Sequence, residues 1–164
     1  MIIINDREAI NAIKKVLQDS LEDPRQQYTN TDRPWIHTDE PLSQATFPRI
    51  QVRKRGPSVA DIIGIGEDFP EQRAIVLDVQ MWSKDPFKWK GLDSVYLENE
   101  ELIKEWEDKI WLVLKNNQST LKATYGITGL ANLGEEDPYL EPDTQLYTGS
   151  IGIRIWYFIL PTGC

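Results

Sequence analysis

The sequence of 164 residues has one cysteine, one histidine and no long apolar run. Cys164 has no second cysteine to pair with, which excludes an internal disulfide framework and a thiolate metal site and fits a reducing compartment. The longest apolar run, Ile155 to Leu160, is far shorter than the roughly 20 residues that a membrane-spanning helix needs. Asn5 and Asp6 end the apolar start at once, so we expect neither a signal peptide nor a membrane partner.

Basic residues are also few. Lys and Arg number 18 against 26 Asp and Glu, for a net charge of -8. Nucleic-acid binding rests mainly on Lys and Arg that displace counterions from phosphate, so this balance argues against free nucleic acid as a partner. The length and the 40% apolar content are typical of one globular domain, and we expect a single domain over residues 1–164.

Motifs for nucleotide and phosphate chemistry are missing. No Gly-Lys-Ser/Thr triplet follows a glycine-rich loop, which excludes a P-loop. The turn Gly64–Gly66 lacks a third glycine and precedes Glu67 and Asp68, which would repel a pyrophosphate. Near Asp78, no Glu-x-Lys supplies the lysine of a restriction-type nuclease. We therefore predict no catalytic residue and no cofactor.

His37, with Asp39 and Glu40 close by, leaves one enzymatic alternative open, because an imidazole and two carboxylates are ligands for a metal ion. The chain has no second histidine, so we interpret His37 as a solvent-exposed loop residue. We predict that the acidic run Glu135–Asp143 is a loop before the last strand; it lacks the Asp-x-Asp-x-Asp-Gly order of a calcium loop and is interpreted as a solvated charge run. We predict no metal site.

Hydrophobic periodicity indicates seven elements. We predict a helix over Asp6 to Leu21 with a capping box from Asn5 to Glu8, strands over Phe47–Arg55, Val59–Ile65 and Arg73–Ser83, a helix over Glu98–Asn116, a weak strand over Leu121–Ile127, and a last strand over Tyr147–Leu160. A turn at Gly56 and Pro57 makes the first three strands a meander. This order predicts an α+β fold, with a mainly antiparallel, mixed sheet of about four to five strands packed against two helices.

Two further features concern the surface. Residues 24–46 form a long polar excursion, which favours an interaction arm over a simple connection. The last strand alternates without a break; Thr148, Ser150 and Arg154 predict a wet second face in its first half, and Trp156 and Phe158 predict a covered one in its second half.

A basic cluster on the first strand contrasts with the acidic background. Arg49, Arg53, Lys54 and Arg55 are expected on its outward face. They suit an acidic partner surface, such as Glu135, Glu136 and Asp137 of a neighbouring copy, or a charged edge that blocks aggregation, and the sequence does not decide between these.

Aromatic residues outside the helix pattern are candidates for an interface. Trp35, Trp89 and Trp156 lie outside the apolar stripe of the second helix, whereas Trp106 and Trp111 fit burial in the core. Trp and Tyr are favoured at interface hot spots because they bury a large area with few rotatable bonds.

The order of elements resembles the tail terminator and tail-completion proteins of tailed bacteriophages and archaeal tailed viruses. The amphipathic first helix is followed by the strands FPRIQVRKRG and AIVLDVQMWSKD, a helix near Glu98–Asn116 and a closing strand YTGSIGIRIWYF. The resemblance covers nearly the whole chain and rests on order and character. It implies a tail-terminator-like domain without catalytic residues.

This resemblance implies a structural virion protein of the tail and neck, assembled in the host cytoplasm. It would form a homo-oligomeric, hexameric ring that caps the tail tube, ends tube polymerisation and docks to the head connector, while viral DNA passes through the lumen without specific binding. The tail tube protein and a connector or neck protein would then be its partners, and Trp156 and Phe158 would help to pack the ring. Another neck or head-completion protein is the alternative; a small metal-dependent hydrolase using His37, Asp39 and Glu40 is the enzymatic one.

Overall fold

A computed structural model describes residues 2–21, 35–38, 48–61, 70–84, 87–88, 96–97 and 99–160. These residues form, in chain order, α1 (Asp6–Ser20), β1 (Ile36–His37), β2 (Arg49–Asp61), β3 (Glu71–Ser83), β4 (Phe87–Lys88), β5 (Tyr96–Leu97), α2 (Asn99–Asn116), α3 (Gln118–Tyr125), β6 (Ile127–Leu140) and β7 (Tyr147–Ile159). A five-stranded mixed sheet packs against helices, which confirms the predicted α+β class.

The five-stranded sheet has the order β1-β2-β3-β7-β6. β1 pairs in parallel with β2, and every other pair of neighbours is antiparallel. β3 and β7 pair along their full lengths, from Glu71 opposite Ile159 to Ser83 opposite Tyr147. β4 and β5 form a separate antiparallel pair. The four long strands β2, β3, β7 and β6 therefore alternate in direction.

The core lies between α1, α2 and one face of the sheet. α1 begins at the predicted cap: the Glu8 amide donates to Asn5 Oδ1 at 2.8 Å, and the Asn5 amide donates to the Glu8 carboxylate at 2.8 Å. The face of α1 toward the core is apolar because the apolar residues recur at helical spacing. The buried apolar residues of the core include Ile13, Leu17, Ile50, Val52, Leu77, Val79, Leu102, Trp106, Ile110, Ile151, Ile153 and Ile155.

The predicted turn at Gly56 and Pro57 is wrong. β2 continues through both residues to Asp61 and pairs with β3 on either side of a register shift between Arg55 and Val59. A bulge accommodates a proline inside a strand, because the extra residues leave the ladder without requiring an amide donor. The segments predicted as Phe47–Arg55 and Val59–Ile65 thus join into one strand as far as Asp61, and the three-strand meander is not formed.

The weak strand predicted over Leu121–Ile127 is also wrong. Residues Gln118–Tyr125 form the third helix, α3, which ends at Gly126 with the left-handed φ of 76° that glycine adopts easily. The alternation of Leu121, Ala123 and Tyr125 suggested a strand, yet only Leu121 is fully buried. Because α3 buries only one side chain, its sequence shows little of the apolar periodicity that predicts a helix.

The acidic segment before the last strand is not a loop. β6 extends to Leu140 and includes Glu135, Glu136 and Asp137, and the chain turns only after that. The pairing of β6 with β7 has register shifts between Asn132 and Gly134 and between Glu136 and Tyr139. Such irregularities allow Gly134 and Pro138 to be part of the strand. Charge and proline content suggested a loop because both are rare in central strands, whereas β6 is an edge strand.

β7 confirms the predicted last strand, but the prediction of a wet first half on its second face is wrong at Thr148 and Ser150. Thr148 and Ser150 are buried, Arg154 is exposed, and Trp156 and Phe158 are only half-buried. Thr148 lies opposite Trp82 and Ser150 opposite Gln80 in the middle of the sheet. Arg154 is exposed as predicted, whereas Thr148 and Ser150 are buried in the central strand.

Most of the predicted excursion at 24–46 lies outside the described residues. Within it, Trp35 and Ile36 are buried, and Ile36 and His37 pair with Ile50 and Gln51. In the part of the chain that the structure describes, no helix has the length and apolar character needed to span a membrane.

Candidate functional site

One edge of the sheet is acidic. β6 pairs with β7 on one side and with no described strand on the other. Glu135, Glu136 and Asp137, which we call the acidic edge, are consecutive exposed residues of this strand. None of the three forms an ion pair with another described residue. Charged residues on an edge strand hinder unspecific pairing and leave it open to a partner of opposite charge.

The same strand exposes apolar side chains on both sides of the acidic edge. Leu133, Tyr139 and Leu140 are between 44 and 50% exposed. Apolar area beside charges is typical of surfaces that bind another protein, in which the apolar part supplies burial and the charges supply orientation. β6 therefore combines both features along one edge.

The opposite side of the sheet carries the basic residues of β2. Arg53 is exposed and forms no ion pair with another described residue. Lys54 points to the helix side, so its prediction on the outward face is wrong, and its Nζ lies 2.8 Å from Asp6 Oδ2. Arg55 Nε donates to Asp78 Oδ2 at 2.8 Å. We call these three residues the basic strand segment.

The negative charge of the acidic edge also affects the pKa of Arg55. The hydrogen bond with Asp78 raises the pKa of Arg55, the negative charge of Asp78 adds to this, and that of Glu136 adds further. Glu136 lies level with Ser150, Gln80 and, in turn, Gln51, and paired residues of a sheet share a face. Glu136 and Arg55 are therefore on one face, at opposite sides of the sheet.

Arg49 corrects the predicted basic cluster. It lies on the same sheet face as Arg53, but it is fully buried and its guanidinium stands 5.3 Å from the centre of the Trp82 ring. The face of the Trp82 indole ring attracts the positively charged guanidinium of Arg49. Its neighbours across the sheet at this level, Trp82 and Thr148, are buried as well. The prediction of an outward Arg49 is wrong because this end of the face is covered.

The candidate interface aromatics divide into three groups. Trp35 is buried, and its ring centre lies 5.7 Å from that of Trp106, so this candidate interface residue packs in the core of the chain. Trp156 and Phe158 are half-buried near the far end of β7, where Phe158 lines an open groove of about 630 Å³ with Ile2. Trp89 lies outside the described residues.

His37 is buried in β1, so its interpretation as a solvent-exposed loop residue is wrong. It pairs with Gln51 across the parallel ladder. Asp39 and Glu40 lie outside the described residues. Within the ranges that are described, no group of three or more His, Cys, Asp or Glu side chains is placed to hold a metal ion.

The sequence did not indicate the roles of two ionisable groups, Asp6 and Glu107. Asp6 joins distant strands: its carboxylate contacts Lys54 at 2.8 Å and Arg73 at 3.2 Å, and Tyr157 donates its hydroxyl to it. Nothing local in the sequence indicates these partners. Glu107 is buried on α2, and here a signal was present, because a glutamate four residues after Ile103 falls on the apolar stripe.

Burial is the main cause that raises the pKa of Glu107 to about 7; the negative charges of Glu135, Asp108 and Asp137 contribute to this rise, and the positive charge of Lys104 opposes it. The acidic edge is therefore close enough to Glu107 to disfavour its charge. A cation that neutralises the acidic edge would make ionisation of Glu107 easier.

A scan of the sequence against protein-family models found no match, and no curated protein matches the chain.

Proposed function

We propose that this chain is a structural protein of a tailed virus. In this proposal, copies form a ring that caps the tail tube, ends tube polymerisation and joins the tail to the head connector. The observation that carries the proposal is the charge separation across one open sheet, with the acidic edge on β6 and the basic strand segment on β2. The order of elements that resembles tail terminators supports the viral assignment.

Charge separation of this kind suits a ring. A closed ring of identical copies uses a heterologous interface, in which two different and complementary surfaces of each copy meet. A two-fold dimer would instead bring each surface against itself, and like charges would then repel. Acidic and basic surfaces on opposite sides of one sheet therefore favour head-to-tail association.

The net charge of -8 fits passage of DNA through such a ring. A lumen rich in Lys and Arg would hold the phosphate backbone, whereas an acidic protein repels it at distances up to the screening length. In this proposal, the DNA crosses the lumen without specific binding. The tail tube protein and the connector or neck protein are the partners.

Solution mass and images test the ring. Light scattering over a range of protein concentrations should show a species of about six copies, and negative-stain images should show rings with a central hole. A closed dimer that persists at all concentrations would contradict the proposal, because a two-fold dimer uses each surface on itself.

The role in the tail is tested in the virus that encodes the chain. Deletion of its coding sequence should give tails of uncontrolled length that do not join heads. Unjoined tails of normal length would assign the chain to the alternative, another neck or head-completion protein. Normal virions would exclude both assignments.

A further inference from the structure

The sheet has four long strands, an even number, and this determines the relative direction of the two strands that meet when two copies associate. β2, β3, β7 and β6 alternate in direction, so β2 and β6 run antiparallel to each other. When copies repeat around an axis without inversion, the β6 edge of one copy faces the β2 side of the next. The two strands that meet are then antiparallel, which is the geometry of a regular ladder. The sheet can thus continue from one copy to the next.

β1 restricts where the next copy can pair. It lies along β2 at Ile50 and Gln51 only, and no other described strand pairs with that side of β2. If the two copies are not shifted along the strand direction, Glu136 of one copy is level with Gln51 of the next. It would then meet β1 of that copy, which pairs at Gln51. A shift of two residues would still leave Tyr139 and Leu140 level with Gln51 and Ile50. β6 must therefore shift along β2 toward Arg53 by four residues, roughly 13 Å at about 3.3 Å per residue.

Only an even shift keeps the faces of the two sheets aligned, because side chains alternate with a period of two. A shift of four residues places Glu136 opposite Arg55 and diagonal to Arg53. Diagonal neighbours of an antiparallel pair are within reach of a long side chain such as arginine. This register therefore brings Arg53 and Glu136 together on one face.

The two side chains are available for this contact. Arg53 and Glu136 are exposed, and neither has an ion-pair partner among the described residues. Lys54 and Arg55 already contact Asp6 and Asp78. The apolar residues Tyr139 and Leu140 of β6 would follow onto the neighbouring copy and lose part of their exposure. Burial of these apolar side chains and attraction between Arg53 and Glu136 therefore favour the same register.

We propose that β6 of one copy adds antiparallel to the Arg53 side of β2 in a second copy, with Glu136 paired to Arg53. The inference rests on the proposed ring and identifies its interface. Backbone hydrogen bonds supply the continuity between copies, and the Arg53–Glu136 pair fixes the register.

Charge exchange tests this pairing. Arg53→Glu and Glu136→Arg should each raise the apparent dissociation constant of the ring roughly tenfold or more, and the double variant should recover most of the assembly, because it restores opposite charges. Arg154→Glu is the matched control: it makes the same charge change at an exposed residue of the same face, but on the central strand β7. It should leave assembly near that of the parent.

Hydrogen exchange supplies a backbone readout. Assembly of the parent should slow exchange at alternate amides of β6, those that point away from β7. Rings that form equally well in both single variants, with β6 amides unprotected, would overturn the edge pairing and leave the ring proposal intact. A parent chain that never assembles would overturn both. Circular dichroism at the same concentration confirms that each variant is folded.

Discussion

Glu107 of α2 lies directly above Gly149 of β7. Its Oε1 is 2.9 Å from the position that a Cβ at residue 149 would take. Glu107 is only 3% exposed, and Oε1 has no hydrogen-bond partner among the described residues. A carboxyl group in such a place resists ionisation, since burial penalises the charged form. The glycine is required here by the close approach of the helix to the strand.

The pKa of Glu107 leads us to expect that stability decreases as the pH rises. Its ordinary pKa is 4.5, and burial together with nearby negative charges raises it to about 7 in the folded chain. Between these values the unfolded chain has released the proton and the folded chain still holds it. The free energy of unfolding then falls with pH and levels off above about 7, by about 3 kcal/mol in all. Chemical denaturation at about pH 5, 6 and 8 measures this.

The variant Glu107→Gln isolates this contribution. The neutral amide has nearly the same shape, so the variant should match the parent at about pH 5 and exceed it at about pH 8 by up to about 3 kcal/mol. Glu105→Gln makes the same change on the same helix, at a residue 3.7 Å from Lys109, and should retain the decrease. A decrease as steep in Glu107→Gln as in the parent would show that another group causes it.

Gly149→Ala should destabilise the fold by about 1 to 3 kcal/mol, because the added Cβ has no space. It would stand 2.3 Å from Ile103 Cγ2, and Ile103 is fully buried in the core. Gly152→Ala is the matched control on the same strand. Its Cβ would meet Leu133 Cβ at 3.3 Å, and Leu133 is an exposed residue of the edge strand that can shift.

Urea denaturation of the two glycine variants makes the comparison. Equal losses in Gly149→Ala and Gly152→Ala would indicate that the contact with α2 does not decide the result, because alanine is otherwise more favourable than glycine inside a strand. A loss confined to Gly149→Ala supports tight packing of α2 on β7.

Asp6→Asn should lower the free energy of unfolding by about 1 to 3 kcal/mol, since it weakens contacts with three groups at once. Asp6 begins α1 and contacts Lys54, Arg73 and Tyr157, which lie on three strands. Its charge also interacts favourably with the amino end of the helix.

Asp19→Asn is the control for this substitution. Asp19 lies near the other end of α1 and pairs at 3.0 Å with Lys15, where both side chains are more than half exposed. Exposed pairs of this kind contribute little, so a change within about 0.5 kcal/mol is expected. Thermal denaturation of both variants gives the difference, and equal losses would argue against a stabilising role of the Asp6 contacts.

Strong periodicity explains which parts of the fold the sequence predicts. α1, α2, β3 and β7 each bury one continuous apolar face, so their patterns give the type of element and nearly its bounds. β6 and α3 bury little, and β2 contains Gly56 and Pro57 inside a bulge. Edge strands and short helices are stabilised by tertiary pairing, which a local pattern does not encode.

The candidate site shows the same division. The charges of Arg53 and of Glu135–Asp137 are visible in the sequence, and the structure places them at opposite sides of one sheet. The burial of Arg49 depends on Trp82 from the next strand, and that of Trp35 on Trp106 from α2. Contacts between residues this distant in sequence require the topology to be known.

Trp106 provides the last prediction, because it anchors α2 in the core. It is fully buried, and its ring lies 5.7 Å from that of Trp35 at an angle of 36°. Trp106→Ala should cost about 3 to 5 kcal/mol, since it removes a large buried side chain and leaves a cavity. Leu112→Ala, on the same helix at a residue 54% exposed, should change stability by no more than about 0.5 kcal/mol. Urea denaturation followed by circular dichroism compares the two, and a small loss in Trp106→Ala would mean that α2 is held by its contacts with β7 and not by the paired indole rings.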